Sequence, residues 1–153
     1  MAIKHAGNTY EHLLIYADGS IQPECAGAGI VVLDKWGGVV YIANRTLPPM
    51  TNNEAEYAGL VLALEAATAL GGQYLEIRLD SEVVVYQMIG RFAVNSSALK
   101  RWHQQACMLA RRLAKVRYTH IPREQNAVAD ALATEASAGR KWQMGGMNDV
   151  LDR

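Results

Sequence analysis

The first third of the chain carries short apolar runs separated by turn residues, a pattern typical of β-strands. The run that starts at His12 is broken by Asp18-Gly19-Ser20, which predicts a first strand ending in a turn with the Asp18 carboxylate at its tip. Two further runs, residues 28–33 and 39–43, are joined by a glycine-containing segment and predict a hairpin. We therefore expect three antiparallel strands as neighbours in one sheet.

After residue 50 the apolar positions recur with the helical period. Residues 53–70 predict a helix, with Thr51 or Asn52 as its N-cap and Gly71-Gly72 as its end. The elements that follow are a strand over 74–79, a short helix capped at Asp80-Ser81, a helix over 97–114, a strand over 116–121, a loop over 122–125 and a helix over 126–138. This order indicates an α/β fold with a five-stranded mixed sheet and helices on both faces.

Length and composition narrow the class of protein. A chain of 153 residues, half of them hydrophobic, is expected to form a single domain over 1–153, with its core at about 12–138 and a mobile tail over 139–153 that has no periodicity. No segment approaches the roughly 20 apolar residues of a membrane span, and the start has no apolar run, so we expect a cytoplasmic protein without membrane association. Cys25 and Cys107 are too few for a disulfide framework and are not spaced as a zinc site.

The net charge is zero, but the charges are unevenly distributed. Residues 1–90 hold 10 acids and 4 Lys or Arg, whereas residues 91–123 hold 8 bases and no acid. Within this basic segment Trp102 lies on the apolar stripe of the predicted helix and is expected in the core, so the cationic face points outward. A solvated helix face explains such charges as well as a nucleic-acid surface does, and only a neighbouring catalytic site would favour the second.

Four acids occupy positions at strand ends or on apolar helix faces, where charge is unusual. They are Asp18, Glu56, Asp80 and Asp130. Taken singly, Asp18 fits a plain turn, Asp80 a helix cap and Asp130 an exposed position, but Glu56 begins the inward stripe of its helix. Together they form an oxygen-rich set that suits Mg²⁺ or Mn²⁺, and two such ions about 4 Å apart can assist phosphodiester hydrolysis.

The four acids lie in four short motifs, and successive acids are separated by 38, 24 and 50 residues. The motifs are Tyr16-Ala-Asp-Gly-Ser20, Thr51-Asn-Asn-Glu-Ala-Glu-Tyr57 with Ala63-Leu-Glu65 after it, Leu79-Asp-Ser-Glu82, and His120-Ile-Pro-Arg-Glu-Gln-Asn-Ala-Val-Ala-Asp-Ala-Leu-Ala133. In this order and spacing they resemble the motifs of the type 1 ribonucleases H, the enzymes that cut the RNA strand of RNA/DNA hybrids, and the likeness covers roughly residues 12–138.

The resemblance implies a ribonuclease H-like fold and a two-metal endoribonuclease that leaves 5′-phosphate and 3′-hydroxyl ends. Asp18 would bridge two Mg²⁺ ions, for which Mn²⁺ is a possible substitute. Asp130 would complete the ion that carries the attacking water, while Glu56 and Asp80 would serve the ion beside the leaving 3′ oxygen. His120 would lie on a mobile loop and guide the water or product release, although a strand-end histidine that only packs is the alternative.

The resemblance also implies a set of contacts with the hybrid. Asn52, Asn53, Glu56 and the backbone of Gly19 and Ser20 would sense the 2′-hydroxyl of RNA. Thr51 would seat a phosphate of the DNA strand, although helix capping explains it as well. Ser81 and Glu82 would touch the RNA strand, with Glu82 in place of the amide side chain often found there.

Two features differ from some family members. The segment between Asp80 and the fifth strand is short, so the basic protrusion of some bacterial members is not expected, and neither is a separate hybrid-binding module before the first strand. The chain is therefore expected to be a compact form that works as a monomer.

Three other functions compete with this prediction. A non-catalytic nucleic-acid-binding module is disfavoured by the presence of all four acids and His120. Another nuclease of the same superfamily is disfavoured by Asn52-Asn53 and the match around His120. A small-molecule phosphatase is disfavoured because the sequence has no Gly-rich phosphate loop.

Overall fold

A computed structural model describes residues 10–145 of the chain. Its strands are β1 (His12–Ile21), β2 (Ala26–Asp34), β3 (Val39–Leu47), β4 (Tyr74–Leu79), β5 (Lys115–His120) and β6 (Gln143–Gly145). Its helices are α1 (Asn52–Ala69), α2 (Glu82–Met88), α3 (Ser97–Ala110) and α4 (Ala127–Ser137), with a short 3₁₀ turn over Arg123–Gln125. Among these residues no helix is both long and apolar enough to cross a membrane.

The strands form one mixed sheet in the order β5-β4-β1-β2-β3-β6. The first three strands pair antiparallel in succession, whereas β4 lies parallel to β1 and β5 lies parallel to β4. Helix α1 packs on β1 and β2 and is covered by α3, while α4 packs on the other side of the sheet against β1, β2 and β3. The predicted α/β fold, with a mixed sheet and helices on both faces, is confirmed.

Strand β1 does not end in the predicted turn at Asp18. Its pairing with β2 continues from Asp18, opposite Gly29, to Ile21, whereas its parallel pairing with β4 stops at Tyr16. The turn prediction was wrong because Asp-Gly is also compatible with a strand whose neighbour supplies hydrogen-bond partners on one side. Asp18 therefore lies just beyond the point where β1 and β4 stop pairing.

Helix α1 lies at the centre of the fold, and 12 of its 18 residues are buried. It begins with a capping box, in which the Thr51 hydroxyl accepts from the Glu54 amide and the Glu54 carboxylate accepts from the Thr51 amide. Gly71, with a φ of +84°, follows its end. Because α1 is covered by the sheet on one side and by α3 on the other, it is apolar around most of its circumference.

Two glycines allow the helices to approach the strand backbone beside Asp18. A Cβ on Gly59 of α1 would lie 2.6 Å from the carbonyl oxygen of Asp18. A Cβ on Gly29 of β2 would lie 2.6 Å from the carbonyl oxygen of Ala129 in α4. Side chains at both positions are excluded by backbone atoms, so the sheet around Asp18 is held closely between α1 and α4.

The sequence analysis predicted five strands and no element after residue 138, but the structure adds β6 at the edge of β3. Residues 143–145 pair antiparallel with Tyr41–Ala43. The buried amide of Asn44 donates to the carbonyl oxygens of Leu132 and Arg140, each at 2.9 Å, and its Oδ1 accepts from the amide of Trp142. These contacts are long-range, so no local pattern reveals them; residues 146–153 of the predicted mobile tail lie outside the described part.

We predict that Gly59→Ala lowers the free energy of unfolding by about 1–3 kcal/mol, because the added Cβ meets the backbone of Asp18. The intrinsic preference of helices for alanine would act in the opposite direction. Chemical denaturation monitored by circular dichroism measures the change. The matched control is Gly38→Ala, whose Cβ would meet only the Asp34 carboxylate at 3.4 Å and should change stability by less than about 0.5 kcal/mol. Equal stability of the two variants would contradict the close approach.

Candidate active site

Three of the four predicted acids come together at the carboxyl end of β4. Asp18 belongs to β1, Glu56 lies in the first turns of α1, and Asp80 directly follows β4. A carboxylate oxygen from each lies within 4.8 Å of the others. Asp18 and Glu56 are buried, with 3% and 8% of their surface exposed, and Asp80 is half-buried. The fold thus concentrates negative charge where little water can screen it.

The backbone around Asp18 fixes this arrangement. Because paired residues of antiparallel strands point to the same face, Asp18 faces α4, as its partner Gly29 does. Glu56 reaches β1 from α1 and accepts a 3.0 Å hydrogen bond from the backbone amide of Gly19. The predicted inward orientation of Glu56 is thereby accounted for, since one of its oxygens is held by the strand that carries Asp18.

Asp130 belongs to the same site but not to the tightest group of acids. It lies on α4, is half-buried, and its proximity contributes to the raised pKa of Asp18. All four acids line one cavity of about 420 Å³ whose walls are mainly polar. The remaining residues of its lining are Gly19, Ser20, Ile21, Asn52, Arg123 and Thr134.

The close packing of these carboxylates raises their proton affinity. Burial, followed by the charge of Glu56, raises the pKa of Asp18 from 3.8 to about 10. Burial, with the charges of Asp80 and Asp130, also raises the pKa of Glu56, from 4.5 to about 7, although the hydrogen bonds from Asp18 and the Gly19 amide oppose this. A bound divalent cation would supply the positive charge that these groups lack, and the donors are all oxygens, as Mg²⁺ and Mn²⁺ prefer. The residues therefore fit such an ion.

His120 lies at the end of β5, beside Leu79 and so one residue away from Asp80 in the neighbouring strand. Its side chain is exposed, and its ring lies 6.2 Å from the ring of Tyr86 on α2. It is not part of the lining of the acidic cavity. The structure thus places His120 at the edge of the site, and its predicted auxiliary role stays a prediction.

The residues predicted to contact substrate fall into three groups. Gly19, Ser20 and Asn52 line the acidic cavity, whereas Thr51 and Ser81 accept hydrogen bonds from backbone amides as the N-caps of α1 and α2. Helix capping, the alternative to phosphate binding for Thr51, is therefore observed. Asn53 is half-buried and does not line the cavity. None of these contacts tests substrate binding.

The sequence analysis missed two polar side chains at the site, both in the segment before α4. Arg123 brings a positive charge to the wall of the acidic cavity. Asn126 is 1% exposed, and its Nδ2 donates to the carbonyl oxygen of Ala17 at 2.9 Å and to Asp80 at 3.3 Å. Both residues stood within a quoted motif, but only their position in the fold reveals these contacts.

The predicted basic face lies outside the core, on α3 and the residues that follow it. The exposed bases are Lys100, Arg101, Arg111 and Arg112. Trp102 is half-buried against the core, and its ring N–H donates to Glu54 at 3.3 Å. Glu54 and Glu56 both lie in the first turns of α1. The bond from Trp102 therefore holds the first half of α3 against the end of α1 that carries the acidic site.

Comparisons with known proteins agree with this geometry. Residues 16–136 match the family model described as Reverse transcriptase-like. A Ribonuclease HI of Halobacterium salinarum is 39% identical over 123 residues, which are 79% of this chain and 62% of that protein. The chain therefore spans about three fifths of the length of this relative.

Two solved structures are similar over more than four fifths of the chain. The crystal structure of RNase H1 from Halobacterium salinarum NRC-1 has a TM-score of 0.81 and 37% identity, over 84% of this chain and 98% of that one. LC11-RNase H1, solved in complex with an RNA/DNA hybrid, has a TM-score of 0.78 and 34% identity, over 83% and 97% of the two chains.

We predict that the metal-free protein loses stability as the pH rises from about 4 to 8. The raised pKa values of Asp18 and Glu56 mean that the folded state binds more protons than the unfolded state in this range. Asp18→Asn removes one of these acids, so it should raise the melting temperature by about 2–8 °C at pH 8 and by less at pH 4.5.

Thermal unfolding in chelator, followed by circular dichroism at both pH values, measures these shifts. Glu24→Gln, which removes an exposed acid outside the cavity, is the control and should shift the melting temperature little at either pH. The same gain for Asp18→Asn at pH 4.5 and pH 8 would show that acid crowding is not its cause.

Proposed function

We propose that this chain, which belongs to the ribonuclease H family by its 37% identity to the RNase H1 of Halobacterium salinarum over 98% of that solved chain, hydrolyses the RNA strand of RNA/DNA hybrids. The observation that carries the proposal is the cluster of Asp18, Glu56 and Asp80, whose carboxylates lie within 4.8 Å of one another. A solved relative of similar fold holds an RNA/DNA hybrid, which supports this substrate. The products would carry 5′-phosphate and 3′-hydroxyl ends.

Asp18, Glu56, Asp80 and Asp130 would hold two Mg²⁺ ions, with Mn²⁺ as a substitute, since all four line one cavity. Ions bound there would lower the pKa of a water and neutralise charge that develops on phosphate oxygens. The chain's part is to keep these acids together despite their repulsion. It does so through the Gly19 amide on Glu56 and the close approach of α1 to the backbone of Asp18.

The other residues of the cavity suit a polyanionic substrate. Arg123 supplies a positive charge at the wall, where a phosphate of the cleaved strand would lie. The exposed bases of α3 offer a surface for the backbone of the second strand, and the bond between Trp102 and Glu54 brings that surface toward the site. His120, exposed at the cavity edge, would assist proton movement or product release.

Selection of RNA requires contacts with the 2′-hydroxyl, which both donates and accepts hydrogen bonds. The side chains of Asn52 and Ser20 line the cavity beside the acids and offer donors and acceptors of the right kind. The amide of Gly19 already donates to Glu56, so its part in recognition would be to orient that carboxylate. Asn53, Thr51 and Ser81 would contribute at the rim.

We predict that Asp80→Asn lowers hybrid cleavage by about 100-fold or more, because it removes a ligand of the metal-binding set. The assay uses end-labelled RNA/DNA hybrid in Mg²⁺, Mn²⁺ or chelator, with duplex DNA and duplex RNA as controls. Asp34→Asn is the matched variant, since Asp34 also stands at a strand end but lies outside the acidic cavity, and it should retain activity within about 2-fold.

Cleavage by wild-type protein of only the hybrid's RNA strand, and only with metal, would support the proposal. Hybrid binding without cleavage in either metal would instead identify a non-catalytic binding module. Near-normal turnover by Asp80→Asn would refute the assignment of the metal ligands.

We predict that His120→Ala slows cleavage about 10- to 100-fold without abolishing it, as expected for a group that assists proton transfer. Single-turnover cleavage of the same hybrid measures the change. His12→Ala serves as the control because His12 is also exposed next to a tyrosine ring, that of Tyr74, but begins β1 at the other end of the sheet. Complete loss, or no change, on removal of His120 would contradict an auxiliary role.

A further inference from the structure

Asn126 makes hydrogen bonds to three parts of the fold that carry acids of the site. Its Nδ2 donates to the carbonyl oxygen of Ala17, the residue before Asp18, and to Oδ2 of Asp80. Its backbone carbonyl oxygen accepts a 3.0 Å hydrogen bond from the backbone amide of Asp130 in the first turn of α4. One buried residue therefore links β1, the end of β4 and α4 beside the acids that they carry.

The orientation of this amide is determined by its neighbours. Both groups that it faces are oxygen acceptors, so the nitrogen and not the oxygen must point toward them. Its side chain does not cap α4, although Asn126 occupies the N-cap position. The nitrogen is thus directed to the strand and to Asp80, and the oxygen does not accept from the first amides of α4, as the oxygen of an N-cap asparagine usually does.

Fold stability alone does not explain Asn126. Its Oδ1 is buried and has no hydrogen-bond partner among residues 10–145. Asn44, a second buried asparagine, uses both its nitrogen and its oxygen to bind backbone groups. A buried amide that leaves its oxygen unsatisfied is unusual unless its donor serves another purpose.

We propose that Asn126 is a positioning residue that orients Asp80 for divalent-cation binding. Its N–H occupies one carboxylate oxygen, Oδ2, and so restricts rotation of the half-buried Asp80 side chain while Oδ1 stays available as a ligand. Groups that hold ligands in this way raise metal affinity because less conformational freedom is lost on binding. The inference rests on the proposed function only in requiring that the acidic cluster binds a cation.

Calorimetric titration of Mn²⁺, and then Mg²⁺, into the metal-free full chain tests the proposal. Asn126→Ala should weaken binding about 10-fold, the lower end of the effect expected for such contacts. Asn44→Ala is the matched control: it removes a buried asparagine that also contacts the α4 side of the sheet, but lies outside the acidic cavity. It should lower the melting temperature and leave the metal affinity within about 2-fold of wild type.

A double-mutant cycle separates positioning of Asp80 from a general effect on the site. In the Asp80→Asn background, Asn126→Ala should change the Mn²⁺ affinity by less than about 2-fold, because the carboxylate it orients is gone. If Asn126→Ala does not fold, Asn126→Ser replaces it, since serine can cap α4 but is one bond shorter. An unchanged affinity in the single variant, or an undiminished loss in the Asp80→Asn background, would overturn the proposal.

The titration needs no turnover, so its result is independent of the cleavage assay. A wild-type protein that binds Mn²⁺ but cuts no hybrid would contradict the proposed function and leave the role of Asn126 standing if the variant binds more weakly. If the wild-type protein cuts hybrid but the Asn126→Ala and Asn44→Ala variants bind Mn²⁺ with equal affinity, only the proposed role of Asn126 is overturned.

Discussion

Repulsion between the buried carboxylates of Asp18 and Glu56 has to be balanced by the packing around them. Both groups have raised pKa values because burial removes the water that would stabilise their charged forms, and because neighbouring carboxylates add their charges. The balance comes from rigid backbone contacts: the Gly19 amide on Glu56, and α1 against the carbonyl of Asp18 where Gly59 has no side chain. The small residues near the site and the central position of α1 both follow from this requirement.

The same requirement explains why the acids come from elements on different layers. Glu56 approaches from α1 on one side of the sheet and Asp130 from α4 on the other, while Asp18 and Asp80 come from the sheet and its edge. Asn126 and Arg123, in the segment that leads into α4, add a neutral donor and a positive charge. Opposed elements can hold like charges close together because neither side can move away without losing its packing on the sheet.

Much of this arrangement could be predicted from the sequence because it depends on local periodicity. The bounds of β4 agree with the prediction, and α1 and its Thr51 cap differ by one residue or less. The inward position of Glu56 followed from its helical stripe. The extension of β1 through Asp18 could not be predicted because Asp-Gly also fits a turn, and only pairing with β2 decides between the two. The β6 strand and the Asn126 contacts could not be predicted because their partners, β3 for the strand and Ala17 and Asp80 for the amide, lie far away in sequence. The resemblance to the type 1 ribonucleases H predicts that the four acids share one site, and all four line one cavity.

The parallel pairing of β1 with β4 joins parts of the site that are far apart in the sequence. His12 pairs with Tyr74 across a long intervening segment, and α4, which follows still later in the chain, packs on β1, β2 and β3. Loops of this size close slowly compared with the hairpin that joins β1, β2 and β3. Because Asp130 lies on α4, a chain in which this helix has not yet packed on the sheet has an incomplete set of acids in the cavity.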